Sequence, residues 1–173
     1  MSDFLGEAHT VAQALRAATE LLGPRTDGAR FDAEVLMAHA LGGTVDYHPL
    51  GREVGCHQVV LAAAAKNDDF FADMPEQFGA YLTHEQSVLV PPPGATVLAR
   101  SDHDAHQILR YGPKALSVQF HPEFTAPLMA ACIRRRAELL TSEGRDVAAM
   151  LSGIGPTVQS RHLLHAFVAL AAS

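Results

Sequence analysis

Residues 118–124 read VQFHPEF, an apolar run that ends abruptly in an imidazole, a proline and a carboxylate. Residues two apart on an extended chain share a face, so Glu123 stands where it can accept a hydrogen bond from one ring nitrogen of His121. The other nitrogen is then left for chemistry, which is the arrangement of an oriented general base. Pro122 holds its own φ and biases His121 toward extended backbone, as suits a strand end that turns into a loop. The bland alternative is a strand that simply ends in polar residues. A base of this kind is half a mechanism, because it needs a nucleophile beside it.

The rest of the chain has to supply the elements that position this pair. With 173 residues it is long enough for one domain with a real core, or one domain with a short appendage. A net charge of −6 argues against a chain built to grip nucleic acid, and the Arg134-Arg135-Arg136 run reads as the wet face of a helix. The start, MSDFLGEAHT, has no apolar leader core, and no stretch approaches a membrane span, so a cytoplasmic protein with no membrane partner is expected. The two cysteines, Cys56 and Cys132, have neither disulfide-framework nor zinc spacing, and no metal or cofactor is called for.

Thr10 and Gln13 form a capping-box signal, followed by Val11, Leu15, Ala18 and Leu22 at helical spacing up to Gly23-Pro24. A second helix is expected over 31–41, stopped by Gly42-Gly43. Residues 45–47, 56–61, 77–82, 96–100, 107–111 and 116–120 then read as strands, with 91–94 and Gly112-Pro113 as turns. The tail returns to helix over 127–140, 145–151 and 157–171, the last with Leu163, Phe167 and Leu170 on one stripe.

Three segments in order, LMAHALGGTVDYHPLGREVG, THEQSVLVPPPGATVLARSDHDAHQILRYG and SVQFHPEF, resemble the second half of a class I glutamine amidotransferase domain, nearest to the amidotransferase part of GMP synthase. The resemblance implies an α/β fold with a largely parallel sheet covered by helices, and a Cys-His-Glu triad that hydrolyses glutamine to glutamate and ammonia. It assigns the histidine and glutamate of that triad to His121 and Glu123. It also points to Thr83, Glu85 and Gln86 as the segment lining the glutamine pocket, through backbone groups, and gives His84 a structural role. Glutamine as substrate and a synthase or other protein as partner are implied in the same way.

The family nucleophile sits in a G-x-C-x-G-x-Q elbow immediately before the segment matching residues 36–43. Here that place holds DGARFDAEV, with no cysteine and no glycine elbow. The stretch TVAQALRAATELLGPRTDGARFDAEVLMAHALG instead resembles the helical N-terminal domain of release factor glutamine methyltransferases, as a recombined or engineered fusion would. The expected organisation is a helical segment 1–35, the C-terminal half of an amidotransferase-like α/β domain over 36–141, and a helical extension over 142–173. GCHQ imitates the tail of the elbow motif, but Cys56 leads into a β-branched strand where an elbow needs a helix, so it is a poor substitute nucleophile. Cys132 reads as a packed thiol in an amphipathic helix, and Asp102-His103-Asp104-Ala105-His106 as a solvated turn rather than a metal site. The expectation is therefore a catalytically incomplete amidotransferase-like chain, a pseudoenzyme, or else a scaffold or interaction module. The sheet edge left by the replaced strands is expected to drive homo-oligomer formation.

Overall fold

The computed structural model describes residues 38–172. The capping box at Thr10, the first helix and the 27–35 stretch that replaces the elbow lie outside the described residues, as does most of the second helix. Residues 38–40 are helical. Gly42 takes φ +93° and donates to His39 O at 3.0 Å, while Gly43 N donates to Ala38 O at 2.9 Å, a glycine-terminated helix end. Gly43 has a second task. A Cβ there would lie 2.8 Å from Val90 O and 3.0 Å from Ala38 O, both backbone atoms that cannot swing aside. Gly43→Ala should therefore destabilise the fold by about 1–3 kcal/mol, read as a lower urea midpoint with an unchanged slope.

Seven strands follow: β1 (Thr44–Tyr47), β2 (Glu53–Leu61), β3 (Gln77–His84), β4 (Gln86–Val90), β5 (Thr96–Arg100), β6 (Ile108–Gly112) and β7 (Ala115–Val118). Four helices close the chain: α1 (Ala126–Arg135), α2 (Ala137–Ser142), α3 (Val147–Ser152) and α4 (Val158–Ala172). β3-β2-β5-β6-β7 form one sheet and β1-β4 a separate ribbon. Every ladder among the described residues is antiparallel, which departs from the largely parallel sheet expected. For β6 and β7 the cause is connection length. Only Pro113-Lys114 separate β6 from β7, and parallel neighbours need a crossover of a dozen or more residues. The strand β4 was missed from the sequence, because its SVLV run follows β3 after a single residue, Glu85, and reads as a continuation.

Strand alternation sorts the side chains onto two buried faces. Phe78, Ala80 and Leu82 of β3 and Val59 of β2 join Leu98, Ile108, Phe120 and Leu163 in the larger core, where Phe78 and Phe120 meet edge to face at 5.8 Å. Val54 and Tyr81 point the other way, into a second core with Met129, Ile133 and Leu140. Met129 and Ile133 are one helical turn apart on α1, so a single stripe covers that face. The expected single helix over 127–140 is two, because Arg136 leaves helical geometry at φ −103°, ψ 13°. The sheet also curls back on itself: His121 N donates to Tyr81 O at 2.8 Å, and Ser160 Oγ donates to Gly79 O at 2.8 Å, so the outer side of β3 is engaged.

Candidate active site

β7 and its extension deliver His121 to the outer side of β3. Beyond Phe120 the chain turns, with Phe124 N donating to His121 O at 3.2 Å, and Thr125 then caps α1. That turn, rather than the extended chain expected, brings His121 Nδ1 to 3.0 Å from Glu123 Oε1. The imidazole is 14% exposed and the carboxylate 55%, and the ring stacks on Phe124 with centroids 4.1 Å apart. A donor Nδ1 leaves Nε2 as the position from which the ring can accept a proton.

Thr83, Glu85 and Gln86 fall where the chain crosses from the large sheet to the ribbon. Thr83 pairs with Val54, and its hydroxyl is buried with no hydrogen-bond partner among the described residues. Glu85 forms an ion pair with Arg52, which also holds Glu143 at 2.9 Å, and Glu85 O accepts from His48 N at 2.9 Å. Gln86 lies opposite Tyr47. Tyr81, whose carbonyl accepts from His121 N, lies two residues before Thr83 on β3, while Glu85 lies beyond the end of that strand and Gln86 opens β4.

The thiols have surroundings of another kind. Cys56 lies opposite Tyr81 within β2, Cys132 lies inside α1, and both pack against the core of Val54, Tyr81, Met129, Ile133 and Leu140. Neither stands at the N-terminus of a helix, where backbone amides would favour a thiolate.

One buried group of residues was not anticipated. Glu53 is 1% exposed; its Oε1 accepts from Ser101 Oγ at 2.6 Å and its Oε2 from Gln107 Nε2 at 2.7 Å. His84 Nε2 lies 3.4 Å from Glu53 Oε2 and 3.9 Å from Asp104 Oδ2, with its side chain wholly buried. Gln119 Nε2 donates to Asp104 Oδ2 at 2.8 Å. Burial alone would raise the Glu53 pKa, but the His84 and Ser101 contacts and the His84 charge outweigh it and hold the carboxyl below its ordinary range. The expected solvated turn at 102–106 is therefore corrected. Asp104 is 2% exposed, because Ser101 Oγ accepts from both His103 N and Asp104 N and folds the turn inward. His106 Nδ1 donates to Val88 O at 2.6 Å, and His103 Nε2 to Gly51 O at 2.9 Å. The available signal was polar residues, Glu53, Gln107 and Gln119, at or beside the ends of apolar strands.

The sequence profile described as Glutamine amidotransferase class-I matches residues 35–136. The glutamine-hydrolysing GMP synthase of Dehalococcoides mccartyi is 31% identical over 50% of this chain and 16% of its own length. Gamma-glutamyl peptidase 5 of Arabidopsis thaliana is 27% identical over 62% of this chain and 44% of its own length. The chain thus spans less than half the length of the curated relatives it matches. A crystal structure of a glutamine amidotransferase from Thermotoga maritima superposes with a TM-score of 0.63 at 24% identity, over 78% of this chain and 57% of that one. Among the described residues, no helix is long and apolar enough to cross a membrane. With the ordered motifs, the α/β fold and the profile match over residues 35–136 in agreement, the chain belongs to the class-I glutamine amidotransferase family.

Proposed function

We propose that this chain is an amidotransferase scaffold that holds the base and orienter of the family reaction, His121 and Glu123, and does not itself hydrolyse glutamine. The observation that carries the reading is the placement of the thiols. Cys56 and Cys132 pack against an apolar core from within β2 and α1, and neither sits at a strand-to-helix elbow. The elbow position, 27–35, holds no cysteine in the sequence. Glutamine would be met by Thr83, Glu85 and Gln86 through backbone groups, since the Glu85 side chain is engaged by Arg52. The role left to such a scaffold is docking, to a synthase domain or another protein, or to a second copy.

Incubation with a glutamine-analogue electrophile, followed by intact mass measurement, tests the reading. No adduct is expected. One observation favours a second reading: Cys56 lies opposite Tyr81, whose carbonyl accepts the His121 N–H, so β3 alone lies between the two backbones. An adduct lost in both Cys56→Ala and His121→Ala would make Cys56 a relocated nucleophile and overturn the proposal.

Self-association through a sheet edge is part of the same proposal. Among the described residues β1 pairs with β4 alone, and Tyr47 on that strand is 63% exposed. Sedimentation velocity should show a concentration-dependent dimer, and a sharp monomer at high micromolar concentration would refute it.

A further inference from the structure

We infer that the buried Glu53–His84–Asp104 cluster is a positioning device for His121, acting through Gln119. The inference rests on the reading of His121 and Glu123 as base and orienter. Gln119 is 6% exposed and is held at each polar end: its Nε2 donates to Asp104 Oδ2 at 2.8 Å and to His106 O at 3.1 Å, its Oε1 accepts from Val88 N at 3.2 Å, and its backbone N donates to Gln107 O at 2.9 Å. Two residues later the chain presents His121. Phe120 between them is 2% exposed and locked against Phe78, so little slack separates the amide from the imidazole.

The second attachment comes from β3. His121 N donates to Tyr81 O, and three residues further along the same strand His84 enters the cluster between the two carboxylates. Glu53 joins β2 to the β5–β6 loop through Ser101 and Gln107. The segment that carries His121 is thus tied to one buried group from both sides, by Gln119 to Asp104 and by β3 to His84. Packing alone does not call for this. Polar residues cost more to bury than apolar ones of the same volume unless every partner is in place, and what such a network adds is a single allowed arrangement. The 3.0 Å contact of His121 Nδ1 with Glu123 fixes a tautomer only while the ring is held at one place and angle.

The test is long-range 1H–15N NMR of the full chain labelled with 15N-histidine, reading the His121 tautomer ratio from its two ring nitrogens. Glu123→Gln calibrates the signal by removing the orienting carboxylate. Asp104→Asn and Gln119→Met should each shift the His121 ratio toward the Glu123→Gln value, whereas Val59→Ala, a core truncation remote from the cluster, should lower the melting temperature and leave the ratio unchanged. Gln119→Met conserves side-chain volume and carries the test alone if Asp104→Asn does not fold. A Gln119→Met spectrum identical to the parent at His121, beside a shifted Glu123→Gln, would overturn the positioning role and leave the base-and-orienter reading intact. No shift in Glu123→Gln would instead overturn that reading, and the inference with it.

Discussion

Replacing Glu53 with leucine should lower the melting temperature by about 10 °C. The carboxylate is buried and takes donors from Ser101 and Gln107 while facing His84, so its removal takes the shortest acceptor from Ser101 Oγ and Gln107 Nε2 and the nearer carboxylate from His84. Leaving buried donors short of an acceptor costs about 1–3 kcal/mol each, and about 2–4 °C per kcal/mol applies to chains of this size. The double variant Glu53→Leu with His84→Leu should lose less than the two singles together, because two apolar residues of similar volume leave no charge stranded. Acid sharpens the prediction. Glu53 is held below its ordinary value of 4.5 in the fold, so its contribution is fully present above that value and is lost as pH falls through the lowered one. Stability of the parent should therefore decline more steeply below pH 4.5 than stability of Glu53→Leu, although the variant is weaker at neutral pH. A melting temperature unchanged in Glu53→Leu, or identical acid slopes, would show that the cluster contributes little to the fold.

Glutamine-dependent ammonia release by the purified chain should equal the buffer rate. The family chemistry needs a thiolate at the carboxamide carbon, a base within hydrogen-bond reach of it, and donors aimed at the developing oxyanion. This chain offers a candidate base, His121, whose Nδ1 is engaged by Glu123. Losing a nucleophile from a catalytic triad removes about a millionfold of the rate, and each missing oxyanion donor about another hundredfold or more. Cys56 is the residue that could defeat this prediction. It sits on an antiparallel strand, opposite Tyr81, without the helix N-terminus that would stabilise a thiolate. Ammonia release above buffer that survives dialysis and disappears in both Cys56→Ala and His121→Ala would establish a relocated nucleophile. Release that survives Cys56→Ala would point to a contaminating glutaminase.

The sequence by itself determined which residues could act. His121 and Glu123 were legible as a neighbouring pair, although a turn at Pro122-Glu123, closed by Phe124 N to His121 O, makes their contact rather than the extended chain expected. The strand over Thr96–Arg100 and the glycine stop at 42–43 were legible because alternation and positive φ are set within a few residues. The break of the α1 stretch at Arg136 was not, because apolar periodicity continues through it, Met129, Ile133 and Leu140 all reaching the same core. Asp104 was misread as solvated because burial depends on what arrives from far along the chain. Gln119 approaches from 15 residues later, and Glu53, across His84, from a strand 51 residues earlier. Strand direction was decided at the same level: the two-residue link forces β6 and β7 antiparallel, while β1–β4 and β2–β5 pair antiparallel across long connections that no local pattern specifies. Residue types and local spacing thus singled out His121 and Glu123 as candidates for base and orienter. Long-range ladders decided where they stand, what holds them and what surrounds each thiol, because each of those contacts joins residues that no local pattern connects.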